Sequence, residues 1–352
     1  MRAEGGCMAV FQVGLTRDFM AADGSVAMGD IGLDLMVGVD GVEWAFLADD
    51  TRELTVDQID GYDALMVLGP RVPAAAVAGA TRLAVLARFG VGYDNVDVAA
   101  CTRNGIAVTI TPDGVRRPMA QAILTFILAL SGRLLQKDRL TRSGAWAQRL
   151  DYMGVGLTGR VLGSLGVGNI GRELFTLAAP LEMRHIAHDP YAQADAAHGV
   201  ELVDLTTLFR EADFVVVNCP LTAATRGLVN AERLGLMKPS AFLISTARGP
   251  IVDQVALTDA LRADRIAGAA LDVFEQEPVD PNDPILQLDN VIVTPHALCW
   301  TDECFSGNGR SALGGILEVA AGRTPPNVVN PDVLASDMFQ GKMAAIAARR
   351  AT

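Results

Sequence analysis

Three polar side chains stand just beyond short apolar runs in the second half of the chain: Arg248 after AFLISTA, Glu277 after IAGAALDVFEQ and His296 after NVIVTP. Their types suit one reaction, the reduction of a carbonyl that lies next to a carboxylate. An arginine can bind the carboxylate and polarise the carbonyl, a histidine can deliver the proton as hydride arrives, and a carboxylate can orient the imidazole and stabilise its protonated form. Each residue alone has a plainer reading. Arg248 can be a surface turn residue, Glu277 a solvated acid within FEQEPVDPND, and His296, one of four histidines, an ordinary hydrogen-bonded side chain. Together the balance reverses, because ligands of open parallel sheets bind beyond the carboxyl ends of the strands, and all three residues fall there.

Hydride needs a carrier, and the stretch GVGNIG places Gly166, Gly168 and Gly171 in the spacing G-x-G-x-x-G. Alone the motif is weak. Here it follows an apolar strand and opens a helical pattern, RELFTLAAP, where glycines permit a tight turn and close approach of a pyrophosphate to a helix N-terminus. Asp189 ends the next predicted strand, can accept hydrogen bonds from both ribose hydroxyls, and would repel a 2′-phosphate, so NAD is favoured over NADP. The plainer reading is a glycine-rich strand-to-helix turn. A second G-x-G, in GVGYDN from Gly90 to Asn95, lacks the third glycine and a helical pattern directly after it. It requires a different explanation.

The elements that must position these groups alternate from end to end between short β-rich apolar runs and helical patterns, the signature of a parallel α/β protein. Strands are predicted from Ala9, Val42, Ala64, Leu83 and Gly105, which make a first, smaller domain. A helix beginning near Pro118 and running to Leu135 bridges to a second domain, since proline suits a first helical turn. Six further strands, from Arg160, His185, Phe214, Ala241, Ile266 and Asn290, match the doubly wound dinucleotide fold. After about Asp302 the pattern is a helix, SALGGILEVAAG, and a Pro/Asn-rich tail, expected to return to the first domain. The expected division is 1–113 with 303–352, and 114–302.

Bulk properties narrow the function. The 352 residues fit two domains, half of them are apolar, and a fifth are charged. A net charge of -12 argues against a nucleic-acid or anionic-membrane partner. The five cysteines, Cys7, Cys101, Cys219, Cys299 and Cys304, show no C-x-x-C spacing, so neither a disulfide framework nor a metal site is expected and a reducing compartment fits. The longest apolar helix pattern, Met119 to Leu130, is too short to span a bilayer, and a cytoplasmic protein is expected.

Over nearly the full chain the sequence resembles the D-isomer-specific 2-hydroxyacid dehydrogenase family. The stretches RFGVGYDNVDVAA, LGSLGVGNIGRE, VVVNCPLTAATRGLVN, LISTARGPIVDQVAL, IAGAALDVFEQEP and NVIVTPH carry the resemblance. It implies two α/β domains, a Rossmann-type doubly wound NAD-binding domain and a smaller flavodoxin-like substrate domain, with a cleft and hinge closure between them. Arg248, Glu277 and His296 match the family's catalytic set. The resemblance further implies that Asp272 holds the nicotinamide carboxamide and that the Val91 and Gly92 backbone amides bind the substrate carboxylate, which accounts for the second G-x-G. On the matching stretches it implies cofactor contacts from Gly166, Gly168, Asn169, Ile170 and Gly171, from Asp189, from Cys219, Pro220 and Thr222, and from Thr246 and Ala247. The implied substrate is a small 2-oxo or 2-hydroxy acid, and the implied assembly a homodimer.

Departures from the family pattern narrow the reading. The run after the histidine is Ala297, Leu298, Cys299, Trp300 and Thr301 in place of small residues, and Gln121 replaces the usual acid of the bridging helix. Leu68, Gly69 and Pro70 stand where phosphoglycerate dehydrogenases carry polar, phosphate-contacting residues, which argues against a phosphorylated substrate. Glu277 stands where formate dehydrogenases of the superfamily carry glutamine. Arg71, Arg88, Arg116 and Arg117 can each be a second anion contact or a surface residue. Two other readings stay open at this level: an NAD-sensing binding protein resembling the corepressors of this fold, and a dehydrogenase of another small anion on the same scaffold.

Overall fold

The structure, a computed structural model, describes residues 10–192 and 199–350; Cys7 and Ala9, at the head of the first predicted strand, lie outside the described residues. The chain divides into two compact units, Met1–Val115 with Thr301–Thr352, and Arg116–Trp300.

In the first unit the apolar runs form β1 (Phe11–Leu15), β2 (Val42–Phe46), β3 (Ala64–Val67), β4 (Val85–Arg88) and β5 (Ala107–Thr109), separated by α1 (Val56–Ile59), α2 (Ala74–Val77) and α3 (Val98–Arg103). The strands pair in parallel in the order β2-β1-β3-β4-β5, the flavodoxin-like order. A parallel sheet is covered on both faces, so neighbouring residues of one strand enter different cores. Ala64 and Met66 of β3 join Leu313 and Ile316 on one side, whereas Leu65 and Val67 join Val77 and Ala100 on the other.

Helix α4 (Pro112–Ser131) carries the chain into the second unit and is followed by α5 (Leu134–Arg142). The helix starts six residues before the predicted Pro118, which therefore lies inside it. Pro112 takes the first position, where a missing N–H costs nothing, and Pro118 forgoes its bond to the carbonyl of Gly114. The apolar stripe of α4 is core: Ala120, Ile123, Phe126 and Ile127 pack on the sheet of the second unit. Among the described residues no single helix is long and apolar enough to cross a membrane.

The second unit contains β6 (Val161–Leu165), α6 (Asn169–Ala178), β7 (Arg184–His188), β8 (Glu201–Leu202), α7 (Leu205–Glu211), β9 (Phe214–Val217), α8 (Ala231–Leu234), β10 (Phe242–Ser245), α9 (Gln254–Arg262), β11 (Gly268–Leu271) and β12 (Val291–Val293). Among the described residues its parallel sheet has seven strands, ordered β12-β11-β10-β9-β6-β7-β8, rather than the six expected. The additional strand, β8, is two residues long, too short to show a periodicity, and is fixed at the edge by pairing with Ile186 and Ala187. Strand order reverses between β6 and β9, so the glycine loop after β6 opens at the switch point of a doubly wound sheet.

The chain then re-enters the first unit through α10 (Asp302–Ala320), capped by the Thr301 hydroxyl, and ends in α11 (Asp337–Arg350). The tail, which reads from the sequence as Pro/Asn-rich, thus holds a second helix. Its apolar anchors Phe339 and Ile346 lie seven residues apart on one face, a spacing hidden by the polar residues around them. Lys342, between them, is buried and donates to the carbonyls of Leu83 and Asn104 at 2.7 and 2.6 Å.

The two sheets share a device at their amino ends. Asp63, directly before β3, accepts the Gln12 N–H of β1 at 2.8 Å and pairs with Arg82 and Arg349. Asp213, directly before β9, accepts the Val161 N–H of β6 at 2.8 Å and pairs with Lys238 at 3.1 Å. Each buried carboxylate ties together the two strands that flank the reversal in strand order, which leaves the opposite, carboxyl ends for ligands.

Candidate active site

The glycine loop follows β6 and ends at α6, whose N-cap is Gly168. Gly166 has a φ of 95°, accessible to glycine, and a Cβ at Gly171 would come within 2.9 Å of the Gly166 carbonyl oxygen. A Cβ at Gly168 would meet nothing within 4 Å, so there is room for a ligand to approach the N-terminal turn of α6, where Asn169 and Ile170 lie. Asp189, directly after β7, accepts the Val167 N–H at 3.0 Å and the Tyr191 N–H at 3.0 Å. Its carboxylate is therefore anchored beside the loop, with further lone pairs available to a ribose. Ser164 and Asn218 brace the loop from beneath: the Asn218 amide donates to the Ser164 hydroxyl at 3.1 Å, and that hydroxyl donates to the Gly166 carbonyl at 2.7 Å.

Along the carboxyl ends of the next strands lie the other expected cofactor contacts. Cys219 and Pro220 follow β9, and burial, with the charge of Asp189 adding to it, pushes the Cys219 thiol up to about 11, so it is a neutral lining group. Thr222 is exposed in the following turn and bonded to Thr225 at 2.7 Å. Thr246 and Ala247 follow β10. Among the described residues the hydroxyls of Ser245 and Thr246 are buried without a hydrogen-bond partner. Buried polar groups are rarely left unpaired, and two such hydroxyls at the carboxyl end of β10, in the same sheet as the glycine loop and the anchored acid, fit a dinucleotide with a polar nicotinamide end.

The three reactive candidates come together in this unit. Arg248 is the N-cap of the turn Gly249–Ile251 after β10, and its guanidinium donates to the Ala247 carbonyl at 2.7 Å. A Cβ at Gly249 would stand 1.8 Å from the Phe274 carbonyl oxygen, so glycine there lets the loop after β11 lie against the arginine turn. That loop carries Glu277, whose Oε1 accepts the Phe274 N–H at 2.9 Å and whose Oε2 meets His296 Nδ1 at 2.8 Å. Burial alone would raise the pKa of Glu277, but the hydrogen bonds from His296 and Phe274, with the charges of His296 and Arg248, outweigh it and hold the carboxyl below its ordinary value.

His296 follows β12 and sits in the left-handed region, at a φ of 56°. Asp272, wholly buried at the end of β11, holds that loop: its Oδ1 accepts the Thr294 hydroxyl at 2.6 Å and the N–H groups of Ala297 and Leu298 at 3.0 and 3.2 Å. Neither Thr294 nor Ser245 was singled out from the sequence. Of the residues after the histidine, Cys299 is buried and Trp300 is half exposed.

Val91 and Gly92 belong to the other unit, in the loop after β4, where the Gly90 N–H donates to the Thr111 hydroxyl at 2.8 Å. Of the four arginines weighed as anion contacts, Arg71 pairs with Glu53 at 3.9 Å, and Arg116 and Arg117 with Glu173 at 3.8 and 2.8 Å. Arg88 ends β4 half-buried and donates to the Phe89 carbonyl. Gln121 is exposed on α4.

A switch-point glycine loop, an anchored acid and an acid–base pair at neighbouring strand ends define an NAD-dependent oxidoreductase, and comparison with known proteins specifies the family. Residues 124–297 match the NAD-binding domain of the D-isomer-specific 2-hydroxyacid dehydrogenases. The chain is 36% identical over 297 residues to a glyoxylate reductase of Korarchaeum cryptofilum, covering 83% of this chain and 90% of that one. It is 36% identical over 291 residues to a D-3-phosphoglycerate dehydrogenase of Archaeoglobus fulgidus, covering 82% of this chain but 55% of that protein. The crystal structure of a Thermus thermophilus protein, 31% identical, superposes with a TM-score of 0.78 over 91% of this chain and 100% of that one. The chain belongs to the D-isomer-specific 2-hydroxyacid dehydrogenase family.

Proposed function

We propose that the protein interconverts a small 2-oxo acid and the D-2-hydroxy acid. The observation that carries this reading is the 2.8 Å contact between His296 Nδ1 and Glu277 Oε2 at the end of a dinucleotide-binding sheet. With Nδ1 donating to the carboxylate, Nε2 is the nitrogen that gives a proton to the carbonyl oxygen in reduction and takes it back in oxidation. Glu277 orients the ring and stabilises its protonated form. Arg248 binds the substrate carboxylate and polarises the carbonyl, and the amides of Val91 and Gly92 hold the carboxylate from the first unit, the substrate-binding domain in this reading. NADH, when bound, supplies the hydride. The relatives named glyoxylate reductase favour a substrate of few carbons. The protein acts as a homodimer; the exposed apolar side chains Leu128, Leu134, Trp146, Leu150 and Met153, all close in sequence within the second unit, support this.

The test is NADH consumption with glyoxylate, hydroxypyruvate, pyruvate and 2-oxoglutarate. Turnover of at least one is expected. Tight NADH binding with no turnover of any would make the protein a cofactor-binding module instead of an enzyme.

A further inference from the structure

The carboxyl ends of β1 and β3 flank the reversal of strand order in the first unit's sheet, and it is at such a crevice that open parallel sheets bind ligands. Here a side chain of the protein takes the donors. Asp18, in the turn Arg17–Phe19 after β1, accepts the Gly69 N–H through Oδ2 at 2.7 Å and the Thr16 hydroxyl through Oδ1 at 2.6 Å. The Thr16 hydroxyl in turn accepts the Leu68 N–H at 3.3 Å. A Cβ at residue 69 would stand 2.8 Å from Asp18 Oδ2, so the glycine of LGPR is matched to this carboxylate. Among the described residues Asp18 forms no salt bridge, its contacts being these neutral donors.

The next strand in the sheet is β4. Val67 lies beside Arg88 and accepts the Phe89 N–H, so the loop with Gly69 and the loop from Gly90 to Gly92 leave adjacent strands at one level. Resting on the 2-oxo acid reading, with the substrate carboxylate on the Val91 and Gly92 amides, we propose that Asp18 is a specificity-determining residue that rejects 2-oxo acids carrying a second anionic group. Two features act in the same direction. The amide and hydroxyl that would hold a second carboxylate or a phosphate are already satisfied, and a carboxylate without a salt-bridge partner among the described residues, in a partly desolvated crevice, repels a like charge. The part of the substrate beyond the carbonyl is then small or bears a neutral hydroxyl.

The test compares two analogues by calorimetry on the NADH complex of the full chain: oxamate, with one negative charge, and N-oxalylglycine, with two. The wild type binds oxamate in preference. Asp18→Asn keeps an acceptor for Gly69 and removes the charge, and should shift the ratio of dissociation constants toward the dianion by about tenfold, or about 1.4 kcal/mol. The ratio of kcat/KM for 2-oxoglutarate to that for glyoxylate should rise with it. Added salt should shrink the discrimination in the wild type more than in the variant, a response that a purely structural role for Asp18 would not produce. A ratio that moves by less than about twofold in both Asp18→Asn and Asp18→Ala overturns the proposal. A wild type that binds neither analogue overturns the 2-oxo acid reading and this proposal with it.

Discussion

The carboxylate of Asp272 accepts the backbone N–H of Ala297 at 3.0 Å and so grips the chain one residue beyond His296. The histidine needs that grip, because a non-glycine residue in the left-handed region costs about 1–2 kcal/mol. Three donors converge on the one carboxylate oxygen and offset the cost, which makes Asp272 a positioning residue for the imidazole. Thr294→Val removes one of those bonds without touching the carboxylate. Thermal denaturation should show a loss of about 1 kcal/mol, and kcat should fall while NADH affinity is kept. If Asp272 also holds the nicotinamide carboxamide, Asp272→Ala lowers NADH affinity as well, and titration of NADH fluorescence separates the two roles.

In the proposed reaction His296 is the proton donor, and His296→Ala removes it. General acid catalysis is worth roughly 10²–10⁴ in rate, so kcat should fall by about that factor. The imidazole has no part in the glycine loop, and NADH binding should be retained. A large loss of cofactor affinity would remove His296 from the role assigned to it.

Glu277 predicts a pH dependence of stability. Its carboxyl titrates below the ordinary value of 4.5 in the folded protein, so the unfolded chain binds its proton first as pH falls. Its contribution is then complete above about pH 4.5 and is lost as pH drops through the lower, folded value. The melting-temperature difference between wild type and Glu277→Gln should be constant near neutrality and shrink below that pH. A difference that instead grows on acidification contradicts the depressed carboxyl.

The apolar side chains between residues 128 and 153 predict the assembly. Trp146 and Leu150 are 64% and 72% exposed, which is unfavourable for large side chains that have no partner. Sedimentation of the double variant Trp146→Glu, Leu150→Glu should give a monomer mass where the wild type gives a dimer. A monomeric wild type would remove the homodimer from the proposal.

How much of this is legible in the sequence depends on distance along the chain. Arg248, Glu277 and His296 could be read because each follows its own apolar strand within a few residues, and the β/α alternation says where strand ends go. The Asp272 grip could not, since its partners lie 22 to 26 residues away and depend on how the loop after β12 turns. The contact of Asp18 with Gly69 spans 51 residues and two strands. Strand β8 was too short for any period, and α11 was hidden by composition. The helix before the second unit reads as starting late because Pro118 resembles a start signal, when Pro112 occupies that place.

Asp189 gives the sharpest test of the proposed cofactor site, because its carboxylate is also bonded to the backbone of the glycine loop. A carboxylate that accepted only ribose hydroxyls could be removed with a loss confined to NAD binding and to discrimination against NADP. Here Oδ2 also accepts the Val167 N–H inside the glycine loop. If Asp189 also accepts the ribose hydroxyls, Asp189→Ala loses that contact and loosens the glycine loop at once, and affinity for both cofactors should fall. Hydrogen bonds to a charged group are worth about 1.5–3 kcal/mol, so NAD should weaken by roughly ten- to a hundredfold. Asp189→Asn separates the two tasks. Its amide oxygen still accepts from Val167 and the loop is kept, while the charge that repels a 2′-phosphate is gone. Titration with both cofactors should then show NADP gaining relative to NAD in Asp189→Asn, and absolute affinity for both lower in Asp189→Ala than in Asp189→Asn. Unchanged NAD-over-NADP selectivity in both variants would take Asp189 out of the ribose site and leave it only as an anchor of the glycine loop.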